Sequence, residues 1–190
     1  MDLVTGCMFS LDFLECITDV VFSPNPDAIT VGHFYDQWLK ASGAKENKIP
    51  FSLGAILGYL YCGILFTKEH WIDVLPDVDF ATADEGWGIS GVSFTAPNLI
   101  NSASLKYVVR RIRNALGHGY FTVNVPKGLK DRSEIMTRVT LQFHDENIRD
   151  TLDTFDIELN FYQLSKFIKK FQSVIHHYVR SKTYKRSLIN

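Results

Sequence analysis

The sequence predicts a mainly α-helical fold that carries a small antiparallel sheet. The chain has 190 residues, 46% of them hydrophobic, which is enough apolar material for the core of one domain. Apolar residues recur at helical spacing near both ends of the chain, whereas parts of residues 119–160 alternate with a period of two. We therefore expect a single domain over residues 1–190. It would be a helical bundle of about five helices, with a three-stranded antiparallel sheet inserted before the C-terminal helix.

Residues 1–75 are predicted to form the N-terminal helices. The first helix covers residues 3–22 and ends at the Ser-Pro-Asn-Pro sequence, because proline lacks the backbone donor that a helix needs. A second helix is expected over residues 30–42. A third is expected over residues 51–67, with an extension toward residue 75 left open.

Two glycines in the third helix, Gly54 and Gly58, lie four residues apart. This spacing favours close approach of another helix within the bundle, and a dimer seam is the alternative. Residues 76–98 show neither helical nor strand periodicity and are predicted to be an irregular loop.

The helix predicted over residues 99–118 is strongly amphipathic and ends before Gly119, a residue typical of helix C-termini. One face is apolar: Leu105, Val108, Val109, Ile112, Ala115 and Leu116. The other face carries Lys106, Tyr107, Arg110, Arg111, Arg113, Asn114 and His118.

Residues 119–160 are predicted to form the small sheet. Strands are expected at 120–125, 138–143 and 154–159, with residues 127–133 and 144–153 as connections. The C-terminal helix follows over residues 161–181, and residues 182–190 form a basic tail.

The charge distribution is strongly asymmetric although the formal net charge is −1. Residues 1–100 contain four Lys and Arg against 13 Asp and Glu, whereas residues 101–190 contain 16 against eight. The second half could therefore bind a polyanion. The three cysteines form no C-x-x-C pair, and the uncharged apolar run at 51–67 is shorter than the roughly 20 residues of a membrane span. We expect a cytoplasmic protein with no disulfide framework, no structural zinc and no membrane association.

The motif that carries chemistry is Arg113-Asn114-Ala115-Leu116-Gly117-His118, at the end of the amphipathic helix. It is an arginine, four residues and a histidine, with a polar residue directly after the arginine. This motif and its surroundings, VVRRIRNALGHGYF, resemble the HEPN superfamily, whose ribonuclease members carry an R-x4-H signature. The strands and the C-terminal helix are also similar to a plasmid-encoded HEPN subfamily of unassigned function.

The resemblance implies a metal-independent endoribonuclease, acting as a toxin or defence effector and needing no cofactor. His118 would act in acid–base catalysis, Arg113 would stabilise the phosphate and Asn114 would position one of them. Lys106, Arg110 and Arg111 would bind the RNA backbone. Histidine changes its protonation state near neutral pH and arginine stays charged, which suits both roles. An antitoxin or inhibitor protein is a further expected partner.

Helix geometry limits how the motif can act. Five residues turn through about 500°, so Arg113 and His118 point about 140° apart on a regular helix. Either the last turn relaxes, or a second copy of the helix completes the site. HEPN ribonucleases resemble the second case, so we expect a homodimer with a composite site. Two alternatives stay open: a non-catalytic HEPN module that binds RNA or protein, and a helical interaction protein that uses Arg113 and His118 at a dimer interface.

Overall fold

The computed structural model describes residues 3–41, 53–60, 64, 70–90, 92–99 and 102–187. Within these residues the fold is mainly α-helical, as predicted, and contains one antiparallel sheet. The α-helices are α1 Leu3–Val21, α2 Val31–Ala41, α3 Leu53–Tyr59, α4 His70–Val74, α5 Leu105–His118, α6 Arg132–Arg138 and α7 Phe161–Ser187. The strands are β1 Phe94–Thr95, β2 Phe121–Asn124, β3 Thr140–Asn147 and β4 Asp150–Asn160.

The N-terminal helices follow the prediction closely where they are described. α1 and α2 end within about one residue of the expected bounds. The helix expected over residues 51–67 is described as α3, and much of its remainder lies outside the described residues. The Gly54 N–H donates to Ser10 Oγ at 3.1 Å, so Gly54 lies where α3 approaches α1 of the same chain.

Two hydrophobic clusters hold the described elements. The smaller joins α1 and α2 through Phe13, Phe34, Trp38 and Leu39. The larger contains the apolar face of α5, the inward residues of the sheet and the stripe of α7. α5 packs against β3 in this larger core, and this contact places the end of α5 beside the sheet.

The segment 76–98 was expected to be an irregular loop, and this prediction was incomplete. It contains two 3₁₀ turns, Phe80–Thr82 and Glu85–Trp87, followed by β1. Trp87 is 2% exposed and its ring lies 6.1 Å from that of Phe167 on α7. The segment therefore packs as part of the core.

The sheet has four strands in the order β1-β4-β3-β2, one more than predicted. The extra strand, β1, pairs with β4. The predicted connection at 144–153 was wrong, because β3 and β4 continue through most of it and pair along their length. The inward position after Leu141 and Phe143 is the charged residue Asp145, so apolar alternation stops there while the strand continues.

Two further predictions need correction. The connection expected at 127–133 leads into α6, whose first turn is capped by Asp131 accepting from the Glu134 N–H at 2.9 Å. Arg138 therefore ends a helix and does not begin a strand. α7 also runs to Ser187, so residues 182–187 of the expected tail are helical, and residues 188–190 lie outside the described residues.

The chain turns sharply between α5 and β2. Gly119 adopts a positive φ of 73°, and its N–H donates to the carbonyls of Ala115 and Leu116. The Tyr120 N–H also donates to the Ala115 carbonyl at 2.8 Å. This closing of the helix fixes the end of α5 next to β3. No helix in the described part of the chain is long and apolar enough to cross a bilayer.

Candidate active site

A cleft of about 360 Å³ lies at the C-terminal end of α5. One wall is the stripe of α5 formed by Arg111, Asn114 and His118, and the other is residues 145–149 of β3 and its hairpin. Residues three and four apart lie on one face of a helix, which explains why these three side chains meet. Asn114 and His118 were predicted as site residues and share this cleft.

Asp145 is the centre of the cleft, and sequence reasoning missed it. It is 2% exposed. Its Oδ2 lies 2.6 Å from Arg111 Nε and accepts from Asn114 Nδ2 at 3.3 Å, and its Oδ1 lies 3.8 Å from His118 Nδ1. Three side chains of α5 thus converge on one carboxylate. Extending the alternation of Leu141 and Phe143 by two residues would have placed this aspartate inward.

Arg111 is buried, although the sequence predicted an RNA contact for it. Its side chain is 9% exposed. Nη1 donates to Asp153 Oδ1 at 2.9 Å, and Nη2 donates to the carbonyls of Asp145 and Asp153. The Nε contact to Asp145 is an ion pair without hydrogen-bond geometry, so its contribution is mainly Coulombic. The guanidinium therefore ties α5 to the β3–β4 hairpin and faces carboxylates.

The same guanidinium lies among aromatic rings. Its Cζ is 5.8 Å from the centre of the Tyr107 ring and 5.9 Å from that of Phe155. Burial raises the pKa of the Tyr107 hydroxyl, and the nearby Arg111 charge lowers it by a smaller amount. The net shift is upward, so the pKa of Tyr107 lies above the usual phenol value and the hydroxyl is neutral at physiological pH.

The His118 imidazole has access to solvent. Its side chain is 42% exposed, and the distance from Nδ1 to Asp145 is within ion-pair range but too long for a direct hydrogen bond. The ring also lies 5.8 Å from the ring of Tyr120. His118 can therefore contact a ligand in the cleft while the buried carboxylate lies behind it.

Arg113 does not line this cleft. α5 remains a regular helix through His118, so the last turn does not relax, and Arg113 points about 140° away from His118. Lys106 and Arg110 lie on the same side of α5 as Arg113, and Arg110 is exposed. The predicted residues thus divide into two groups: a cleft stripe and a separate basic face.

Among the described residues, no group of three or more His, Cys, Asp or Glu side chains is placed to hold a metal ion. His118 and Asp145 form a pair, and the other polar side chains that line the cleft are those of Arg111, Asn114, Glu146, Asn147 and Arg149. Among the described residues, the cleft therefore combines one imidazole with the carboxylates of Asp145 and Glu146, two guanidinium groups and two amides.

Comparison with known proteins agrees with the architecture of this region. A family model described as HEPN pEK499 p136 matches residues 5–182. No curated protein and no solved structure matches the chain significantly. The family match spans nearly the whole chain and includes α5, the sheet and most of α7. The chain therefore belongs to the HEPN superfamily and, within it, to the pEK499 p136 family.

Proposed function

We propose that this protein is a metal-independent endoribonuclease of the HEPN type that acts as a toxin or defence effector. The observation that supports the proposal best is the His118 imidazole, exposed at the end of the signature helix with the buried Asp145 carboxylate behind it. In this reaction the ribose 2′-oxygen attacks the adjacent phosphorus and loses its proton to a base. The bond from phosphorus to the 5′-oxygen breaks, and an acid protonates that oxygen. The products carry a 2′,3′-cyclic phosphate and a 5′-hydroxyl.

His118 supplies the acid–base group in this proposal, because its ring contacts the cleft and solvent. Asn114 bonds Asp145 and positions the carboxylate that faces His118. Lys106 and Arg110 bind the RNA backbone from the basic face of α5. Arg111 holds the cleft together and makes no RNA contact.

Arg113 supplies the phosphate-stabilising charge from a second copy of the chain. Within one chain the regular helix keeps Arg113 about 140° from His118, so a site that uses both residues needs two protomers. The proposed assembly is a homodimer in which the α5 ends of the two protomers face each other.

The first test measures cleavage of labelled RNA by the purified protein in excess EDTA, with His118→Ala and His33→Ala compared in parallel. His33 is an exposed histidine on α2 whose ring nitrogen lies 2.9 Å from Gln37 Nε2, which makes it a matched control. Loss of an acid–base group lowers the rate by about 10²–10⁴-fold, so His118→Ala should be nearly inactive and His33→Ala should match the wild type. Equal activity in all three proteins would refute the proposal.

The composite site has its own test, which mixes two inactive variants. In a heterodimer of Arg113→Ala and His118→Ala, one of the two sites has both residues intact. If half of the dimers are mixed, about a quarter of the wild-type activity should return. If the mixture stays inactive while subunit exchange is demonstrated, Arg113 and His118 do not act across a dimer.

A non-catalytic HEPN module that binds RNA is the second candidate. The separation of Arg113 and His118 within one chain favours it, because a monomer would present the His118 cleft and the basic face on different sides of α5. Binding of RNA without cleavage, unaffected by His118→Ala, would support this function.

A further inference from the structure

An exposed aromatic ring lies directly beside the proposed active-site histidine. Tyr120 is 53% exposed. Its ring lies 5.8 Å from the ring of His118 at an interplanar angle of 60°. The ring of His144 lies 6.3 Å from that of Tyr120 at an interplanar angle of 50°. The three rings form a row along the surface from the cleft onto the outer face of the sheet.

This row is held in place from several directions. The Tyr120 N–H bonds the Ala115 carbonyl at the end of α5, and its carbonyl accepts from the His144 N–H at 2.9 Å. His144 Nδ1 lies within hydrogen-bond distance of Asp156 Oδ1, at 2.8 Å, across the β3–β4 pair. The backbone of Tyr120 is therefore fixed by a helix terminus and a neighbouring strand. An exposed ring mounted in this way loses little conformational freedom when a planar ligand stacks on it.

We propose that Tyr120, flanked by His118 and His144, is a stacking site for one unpaired nucleobase next to the scissile phosphate. This inference rests on the proposed function and specifies its substrate as single-stranded RNA. Every base has a π face, so stacking on an aromatic side chain binds single strands with little dependence on sequence. A base inside a duplex is stacked on its neighbours and cannot use the site.

The charges around the row are compatible with a base at this position. Asp145 is paired with Arg111 and Asp156 lies against His144, and the Glu146 carboxylate also lines the cleft. Arg149 lines the cleft from the β3–β4 hairpin and is exposed, so it can bind a phosphate of the same strand. Stacking at Tyr120 and a phosphate contact at Arg149 would place the sugar–phosphate backbone across His118.

The test measures binding of a 2′-O-methyl RNA oligonucleotide, which lacks the 2′-hydroxyl nucleophile and stays intact. Fluorescence anisotropy gives Kd for the wild type, Tyr120→Ala, Tyr120→Phe and Tyr162→Ala. Tyr162 is 48% exposed on α7, so its variant removes an equally exposed ring outside the cleft. Loss of a stacked base should weaken binding by roughly tenfold or more in Tyr120→Ala, whereas Tyr120→Phe and Tyr162→Ala should stay within about twofold.

A series of oligonucleotides, each with one abasic position, then identifies the stacked base. For the wild type, one abasic position should weaken binding as much as Tyr120→Ala does. Combined with Tyr120→Ala, that position should cause no further loss, because both changes remove the same contact. The inference would be overturned if the losses of affinity from Tyr120→Ala and from the abasic position were additive. It would also be overturned if Tyr120→Ala and wild type bound the RNA equally well, as expected if Tyr120 instead binds a protein.

Cleavage assays separate this inference from the proposed function. If Tyr120→Ala binds RNA normally while His118→Ala abolishes cleavage, the stacking site is wrong and the ribonuclease stands. If wild-type protein neither binds nor cleaves RNA, both are wrong. Circular dichroism of each variant checks that the exposed substitutions leave the fold intact.

Discussion

Removing the charge of Asp145 should strongly destabilise the fold. Asp145→Asn keeps the size of the side chain but leaves the buried Arg111 guanidinium without its nearest anion, which lies at 2.6 Å. Breaking one partner of a buried ion pair costs about 3–5 kcal/mol. Arg111 keeps Asp153, whose side chain is 28% exposed, at 2.9 Å, so we expect the lower end, about 3 kcal/mol. That is a large share of the roughly 5–15 kcal/mol stability of a domain.

Urea unfolding followed by circular dichroism at pH 7 gives the free energy of unfolding for Asp145→Asn, Asp145→Leu, Arg111→Met and the Asp145→Leu/Arg111→Met double variant. Each single variant leaves one buried charge without its nearest partner, but the double variant removes both charges. The double variant should therefore be more stable than either single variant and can approach the wild type. A loss of unfolding free energy below about 1 kcal/mol in the single variants would show that the ion pair contributes little. A loss in the double variant equal to the sum of the Asp145→Leu and Arg111→Met losses would show that the two residues are not coupled. Either result would refute the proposed role of the pair.

Two further predictions concern the turn that packs on α7. Gly88 has φ of 70°, and an added Cβ would lie 2.5 Å from Lys166 Cβ, so Gly88→Ala should cost at least about 2 kcal/mol in thermal or urea unfolding. Gly128→Ala, at φ of 71° in open space, should cost only about 1 kcal/mol, and an equal cost for both would contradict the clash. The Lys170 ammonium and the Gly86 N–H hold the pKa of Asp84 below its usual 3.8. The ionised Asp84 therefore stabilises the fold above that pH, so unfolding of Asp84→Asn and wild type should differ at pH 7 and converge as pH falls below it. A difference that stays constant down to pH 2 would refute this.

The predictable parts of the fold are those in which local pattern and tertiary packing agree. α5 and α7 carry long apolar stripes, and residues such as Leu164 and Phe167 are buried in the core as the stripe indicates. β1 could not be predicted, because it has two residues and depends on pairing with β4, more than 60 residues away in the chain. The sequence did carry a usable signal for the start of α6. Asp131 caps the helix by accepting from the Glu134 N–H, and the Glu134 carboxylate accepts from the Lys130 N–H at 2.8 Å.

The candidate site was only partly predictable for a related reason. The motif gives the residue types and their spacing on α5, and these place Asn114 and His118 on one stripe. Asp145 is supplied by β3, 31 residues after Asn114, and its burial is indicated only if the alternation of Leu141 and Phe143 is extended into the predicted connection. Arg111 was predicted to bind RNA but is buried for the same reason, because its partners Asp145 and Asp153 belong to the β3–β4 hairpin.

The spacing of Arg113 and His118 has a consequence for the whole molecule. If the motif served a single-chain site, an i,i+4 spacing would place both residues on one face, as it does for Asn114 and His118. The five-residue spacing instead directs Arg113 to the basic face that also carries Arg110. One short segment then supplies a histidine to one surface and an arginine to another, and a pair of facing α5 ends can join them. In the proposed homodimer we therefore expect variants at Arg113 to act on the partner's site, and variants at Asp145 to act within their own chain.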